Sequence, residues 1–374
     1  MSAARLALLP DFPEEQWPSM DLVAEQLLRG LKQNHADRFD TQRFCPPFVH
    51  LTTRLLGQGG AAKNADRLFN RFITYPRHAR KIARNFDLFH LCDHSYSQVI
   101  HALPPGRTGV FCHDLDTFRC LLEPALEPRP RWFRAMARRI LTGMQKAAIV
   151  FHTTLAVRSQ IEKYALVDPS RLVHAPLGVA SEFFDGTSTD ALQPSALSLL
   201  HVGSCIPRKR IDVLLNVFAA VHHRLPETRL IQVGGEFTPA QRQQIANLGI
   251  ENSITQFQGL NRSALAGHYR AALLVLVTSD AEGFGLPVAE ALATGAAVLA
   301  SDIPVLREVG GGAAVYAPVG DVQAWADKVV ELLQNSCSAP DRQIRLKWGE
   351  RYSWQNHAAI IAEAYGRLLE SAKT

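Results

Sequence analysis

No run of apolar residues in this chain approaches the roughly 18 needed to cross a bilayer, so the sequence offers no candidate membrane span. Its six cysteines (Cys45, Cys92, Cys112, Cys120, Cys205, Cys337) never form a C-x-x-C pair, which excludes the common zinc-knuckle and dithiol motifs. Cys92, His94, Cys112, His113 and Cys120 lie near one another in sequence but fit no familiar ligand spacing; buried thiols and no metal are expected. No stripe of Lys and Arg alternates with aromatics, so nucleic acid is not an expected partner. The opening MSAARLALLPDFPEEQ lacks the long apolar region of a secretory signal, and the expected home is the reducing cytoplasm.

What is present is ordinary for a folded protein: 374 residues, 47% hydrophobic and 20% charged, with a formal net charge of +5. At roughly 100–200 residues per domain, two domains are expected. The mild basic excess suits an anionic small ligand or a membrane surface. One segment, RPRWFRAMARRI (129–140), sets five arginines around Trp132, Phe133 and Met136. It reads as a helix resting on anionic lipid at the inner face of the cell membrane, or as a surface helix with solvated arginines.

Short β-rich runs alternate with helical periods from end to end, the pattern of α/β folds with parallel sheets. In the first half, residues 5–10, 86–91, 108–115, 147–154 and 171–179 read as strands, with helices near 19–33, 130–146 and 154–165. Ser19 is the expected N-cap of the first of these helices. The small and turn-forming residues of 181–196 read as a linker. Strands then follow at 198–204, 229–235, 254–260, 273–279, 296–302 and 313–319, and SWQNHAAIIAEAYGRLLE (353–370) reads as a long amphipathic helix. In such folds ligands bind at the carboxyl ends of the strands.

The stretch AEGFGLPVAEALATG (281–295) follows one of those ends. Pro287 is tolerated in the first turn of a helix because its missing N–H would be unbonded there. Gly283 and Gly285 permit close approach of a ligand, and the N–H groups of Phe284, Gly285 and Leu286 at the helix start would carry partial positive charge. That is a seat for phosphate or sugar oxygens. Glu282 and Glu290, placed on either side, suit the hydroxyls of a sugar and a ribose flanking a diphosphate. Taken alone, they would be a first-turn acid and a solvated helix residue.

A second constellation is HVGSCIPRKRIDVLL (201–215), where Gly203 and Ser204 end a strand and Arg208 and Lys209 precede a helix. Both cations are placed to hold a departing diphosphate, although such a run is otherwise a solvated loop. The third is FCHDLDTF (111–118), in which His113 could contact a transferred sugar or be a satisfied structural histidine.

Together these residues resemble the retaining glycosyltransferases of family 4. The resemblance rests on E-G-F-G-L-P-x-x-E-A-x-A-x-G (Glu282 to Gly295) and V-G-x-x-x-P-R-K (Val202 to Lys209), with weaker support at His113-Asp114, Gly259-Leu260 and Tyr352-Ser353-Trp354. It implies the GT-B fold, two Rossmann-like doubly wound domains facing each other across a cleft. The acceptor domain would be 1–180, joined by a C-terminal helix at about 355–374, and the donor domain 181–354. It further implies that Lys209 contacts the diphosphate and Glu290 the ribose. Glu282 and the Phe284–Leu286 backbone would hold the donor sugar, the Gly259-Leu260 loop the base, and His113 would lie beside the reacting carbon. His113, Glu282 and Lys209 are the expected catalytic residues.

The implied reaction is retaining and metal-independent, without a cofactor, from a UDP- or GDP-sugar to a hydroxyl of a glycan, lipid-linked or small-molecule acceptor, in cell-surface glycan, polysaccharide or glycolipid synthesis. The family usually has arginine where this chain has Ser204, and no Gly-Gly loop follows the first strand. Ser204 motivates an alternative, a non-catalytic nucleotide-sugar binding subunit of a glycosyltransferase complex. A nucleotide-sugar epimerase or a phosphorylase of the same fold is a third reading.

Overall fold

The apolar runs become strands buried on both faces, as parallel sheets require. The computed structural model describes residues 3–57, 59–184 and 197–371, and the chain divides into two compact units. One comprises Met1–Leu177 with Trp354–Thr374, the other Gly178–Ser353. Most of the segment read as a linker, residues 185–196, lies outside the described residues.

The first unit holds strands β1 (Ala4–Leu9), β2 (Phe39–Arg43), β3 (Leu88–Leu91), β4 (Thr108–Cys112), β5 (Ile149–His152) and β6 (Leu172–His174). They form one parallel sheet in the order β2-β1-β3-β4-β5-β6. The chain therefore reverses its winding between β1 and β3, which opens a crevice at their carboxyl ends. The helix Arg131–Gln145 buries Ala137, Ile140, Gly143 and Met144. The final helix, Trp354–Ser371, covers this sheet: Tyr365, on this helix, donates its hydroxyl hydrogen to the Phe89 carbonyl at 2.9 Å.

The second unit holds β7 (Ser198–Gly203), β8 (Arg229–Gly234), β9 (Ile254–Phe257), β10 (Leu274–Val277), β11 (Val298–Ser301) and β12 (Val315–Ala317). The order is β12-β11-β10-β7-β8-β9, again all parallel. Winding proceeds outward from β7 through β9 and resumes on β7's other side at β10. The switch point thus lies between β7 and β10. The α/β, doubly wound class expected from the sequence is what both units have.

Three local features differ from the sequence reading. The helix near 19–33 starts at Pro18 with Trp17 as N-cap and no capping side chain; Ser19 lies inside the first turn, because Pro18 occupies the start that needs no N–H. Strand β2 was not expected, since FDTQR alternates polar residues; it pairs only with β1, and polar residues suit a sheet edge. The helices of 52–82 also escaped notice. There the buried Asp66 carboxylate accepts hydrogen bonds from the backbone of Leu51, Thr52 and Thr53 at 2.7–3.0 Å, tying the helix Gly60–Phe69 to the short helix Thr52–Leu56. Pro76, which has no N–H for an ordinary helical bond, follows a one-turn π-helix at Asn70–Thr74.

Gly143 lets the helix Arg131–Gln145 press against the backbone of Ser97, and a Cβ there would overlap the Ser97 carbonyl. Gly143→Ala is therefore expected to destabilise the first unit by about 2 kcal/mol through overpacking. Urea unfolding followed by circular dichroism checks this; an unchanged midpoint would show that the contact is not tight.

Candidate functional site

At the switch point of the second unit, the chain leaving β7 makes a short 3-10 turn, Pro207–Lys209, before the helix Ile211–Arg224. Arg210, between them, takes the left-handed conformation with φ 48°, which costs a non-glycine residue about 1 kcal/mol or more. The Thr278 hydroxyl donates to the Lys209 carbonyl at 2.9 Å, and the Asp280 N–H donates to the Arg208 carbonyl at 2.9 Å. The loop after β7 is thereby bound to the loop after β10.

These ties bring Lys209, Arg208 and Glu282 together. Lys209 Nζ lies 2.5 Å from one Glu282 carboxylate oxygen, and Arg208 lies 3.1 Å from the other. Ser279 donates to the first oxygen at 2.7 Å, and Arg208 also donates to the Ala281 carbonyl at 3.1 Å. The Glu282 side chain is 5% exposed. Burial alone would raise its carboxyl, but the charges of Lys209 and Arg208 hold it below the ordinary glutamate value. Two cations against one carboxylate leave a positive excess at the mouth of the crevice.

Three residues further on, Gly285 caps the helix Leu286–Thr294 with φ 89°. Its left-handed backbone calls for glycine, and an added Cβ would also lie 2.5 Å from the Leu306 side chain, which would have to shift. The N–H groups of the first turn have no acceptor within their own helix and carry its positive dipole end. Phe284 is buried edge-on against Tyr352 at 5.4 Å, which fixes the loop Gly283–Leu286.

Glu290, on the same helix, is buried and accepts a hydrogen bond from the Tyr269 hydroxyl at 2.8 Å. Burial pushes its carboxyl up to about 7, with Tyr269 and nearby cations opposing the shift. Gly203 and Ser204 end β7, Ser204 being exposed. Gly259, with φ 64°, and Leu260 follow β9 at the same sheet edge.

His113 belongs to the other unit, just past β4. Its Nε2 donates to the Cys92 carbonyl at 2.8 Å, so the neutral ring presents Nδ1 as an acceptor. Burial lowers its pKa. Beside it, His94 lies 3.1 Å from Asp93 and 3.8 Å from Asp114. Burial disfavours both charges in the His94–Asp93 pair, yet mutual attraction raises His94 and holds Asp93 far below the usual range. Asp11, at the end of β1, is pushed well up by burial and by Asp93.

The structure therefore joins Gly203, Arg208, Lys209, Glu282 and the Gly283–Leu286 loop around one switch point, with Glu290 in the wall. Sequence reasoning missed Ser279 and Tyr269 as partners of the two glutamates. Ser279 directly follows LLVLVT at a strand end and was findable; Tyr269 lies near the end of the helix Arg262–Ala271, between His268 and Arg270, and gave no signal. His201 was also missed: its Nδ1 is buried without a hydrogen-bond partner among the described residues, and burial with Lys209 lowers its pKa to about 3. Asp11, Asp93 and His94 were likewise missed as a cluster, because the topology, rather than spacing, unites the ends of β1 and β3. Among the described residues no group of three or more His, Cys, Asp or Glu is placed to hold a metal ion.

Glu282→Ala should leave Lys209 buried without its counter-charge and cost roughly 3 kcal/mol. Adding Lys209→Met should recover part of that loss in chemical unfolding, and strictly additive costs would show no coupling. Glu290 gives a pH signature. The unfolded chain loses this proton near pH 4.5 and the fold near 7, so its contribution is full below 4.5 and is lost as pH rises through 7. Stability measured from pH 4.5 to 8 should fall more steeply in the parent than in Glu290→Gln; parallel curves would contradict the assignment.

Residues 196–335 match the family model described as glycosyl transferases group 1. The serotype-specific mannosyltransferase WbdA of Escherichia coli is 26% identical over 290 residues, 72% of this chain and 34% of WbdA. The D-inositol 3-phosphate glycosyltransferase of Thermobispora bispora is 33% identical over 245 residues, 59% of this chain and 56% of that protein. The chain thus spans between about a third and little more than half of these relatives. Sucrose-phosphate synthase from Thermosynechococcus elongatus superposes with a TM-score of 0.79 at 18% identity, over 98% of this chain and all of that one. Anabaena HepE in complex with UDP and glucose gives a TM-score of 0.72 at 16% identity, over 97% and 100% of the two chains. Residues 196–335 thus resemble the group 1 glycosyl transferases, and the two doubly wound parallel sheets share the fold of these solved structures.

Proposed function

We propose that this protein is a retaining glycosyltransferase that moves a sugar from a nucleotide-sugar to a hydroxyl acceptor. The observation that carries the reading is the Lys209–Glu282–Arg208 cluster beside the helix start at Leu286. A diphosphate seated there meets one ammonium, one guanidinium and a row of helix N–H groups. HepE was also solved with UDP-glucose, a ligand of the layout that this site suits.

In this reading the bond between the sugar's anomeric carbon and the diphosphate oxygen breaks while the acceptor oxygen bonds to that carbon on the same face. The acceptor proton passes to the departing phosphate. Charge develops on the diphosphate, so Lys209, Arg208 and the N–H groups of Phe284, Gly285 and Leu286 stabilise it more as the bond breaks. These residues supply the positive charge, and the reaction is assigned no metal and no cofactor.

Glu282 anchors both cations and offers its carboxylate to the donor sugar. Glu290 accepts the ribose hydroxyls, a role that calls for its ionised form, and Gly259-Leu260 borders the base. Ser204 leaves the place of a second cation vacant, and Arg208 fills it from the other side of the turn. Neutral His113 accepts a hydrogen bond from the transferred sugar through Nδ1. Donors carrying UDP or GDP and acceptors in glycan, polysaccharide or glycolipid synthesis fit the reading. No helix among the described residues is long and apolar enough to cross a membrane. A cytoplasmic enzyme touching anionic lipid through Arg131, Arg138 and Arg139, all exposed, is consistent with it.

Thermal shift against UDP-, GDP- and ADP-sugars identifies the donor, and Lys209→Ala should then lower its turnover more than tenfold with the fold intact. Chelator should leave the rate unchanged, and Ser204→Arg should preserve or tighten donor binding. Full turnover in Lys209→Ala would remove the reading, and transfer by the purified protein would eliminate a purely binding role.

A further inference from the structure

A cleft of about 270 Å³ opens in the second unit beside Leu273, Ala296 and Ala297, the residues that lead into β10 and β11. All strands of this sheet are parallel, so their amino ends share the edge opposite the switch point. Three arginines line the cleft, Arg270, Arg342 and Arg345, and no acid does. Arg270 lies in the last turn of the helix Arg262–Ala271, and the other two stand on the helix Arg342–Gly349.

None of the three is paired with a carboxylate among the described residues. Arg345 donates through Nε to the Gly295 carbonyl at 2.9 Å and through a second nitrogen to the Pro340 carbonyl. Arg270 donates to the Glu182 carbonyl at 3.1 Å. Arg342 makes no hydrogen bond or ion pair among the described residues; its guanidinium lies over Gly295, where an added Cβ would be 3.0 Å from Nε. Burial lowers the Arg345 pKa, Asp341 opposes the shift and Arg342 adds to it. Asp341 is itself engaged as a cap, accepting the Gln343 N–H at 2.7 Å.

Helix capping does not account for this much charge. The helices Arg262–Ala271 and Leu286–Thr294 both end at the cleft, and each carboxyl end carries about half a negative charge. Two such ends balance about one of the three guanidinium charges, and Asp341, outside the lining, at most another. A positive charge is left over, together with free N–H groups on planar forks that each grip two oxygens of an anion. Forks carried by two different helices suit a tetrahedral phosphate better than a flat carboxylate. No aromatic side chain lines the cleft to stack a base.

We propose that this cleft is a second anion site, separate from the switch-point cluster, that binds a small phosphate-bearing compound without an aromatic base between Arg270, Arg342 and Arg345. The site stands on its own lining and does not rest on the transferase reading. Its place gives it a bearing on the rest of the unit. The helix that ends at Gly295 begins at Leu286, and Gly349 lets the helix Arg342–Gly349 lie on its backbone, where an added Cβ would meet the Ala293 nitrogen at 2.6 Å. A phosphate held by Arg342 and Arg345 therefore sits on the element whose other end is the helix start beside Glu282.

Inorganic phosphate and sn-glycerol 3-phosphate, titrated separately into the full chain at constant ionic strength, test this by isothermal titration calorimetry, with sodium acetate as the singly charged control. At least one of the two phosphates should bind saturably and at least tenfold more tightly than acetate, and the tighter of them identifies whether free phosphate or a phosphate ester is the ligand. Arg342→Gln, a change at an exposed side chain with no bond to lose, should weaken that binding at least tenfold, and Arg270→Gln at least threefold. Lys209→Ala, at the switch-point cluster, should leave it within twofold. Binding lost in Lys209→Ala but kept in Arg342→Gln belongs to the switch point and overturns the proposal. Absence of saturable phosphate binding, equal affinity for acetate, or unchanged affinity in both arginine variants overturns it as well.

Discussion

One carboxylate holds the second unit's site in shape. Glu282 receives Lys209, Arg208 and Ser279 on its two oxygens, and so binds the loop after β7 to the loop after β10. Removing buried charges from water is expensive unless they are paired. The cluster is therefore stable only as a unit, and its positions are set before any ligand arrives. Preorganised charge of this kind costs no rearrangement at the moment a leaving group departs.

The position of the cluster follows from the order of the strands. Winding out from β7 to β9 and back to β10 leaves a gap in the helical cover between β7 and β10, and both loops must emerge beside it. The same rule in the first unit puts the ends of β1 and β3 side by side, where Asp11, Asp93 and His94 meet. Two sheets of similar construction thus gather their ionisable residues at corresponding edges. Their chemistry differs: the second unit has surplus cations, whereas in the first Asp93 is paired with His94 and burial beside it raises Asp11.

Much of this was legible in the residues. Strands such as LLVLVTS and AAVLASD stand out because both faces of a parallel sheet are buried and the apolar run is unbroken. The turn GFGLP was legible because glycine and proline have few other reasons to occur in that order. Strand β2 was not legible, because an edge strand has no apolar run to display. The helices of 52–82 were not either: Asp66 organises them by accepting backbone N–H groups across the turn, a tertiary contact with no local period. Glu282 was legible as a site residue, but its grip on Lys209 and Arg208 depends on the pairing of β7 with β10, which spacing alone does not encode.

The central claim is that the diphosphate of a sugar donor sits on the cluster of Lys209 and Arg208 at the helix start. A crystal structure of the protein with a bound UDP- or GDP-hexose tests it most directly. The account predicts phosphate oxygens within hydrogen-bond distance of Lys209 Nζ and of the N–H groups at Gly285 and Leu286, with hydroxyls on Glu290. Phosphates seated elsewhere, with the Lys209–Glu282 pair untouched, would contradict it.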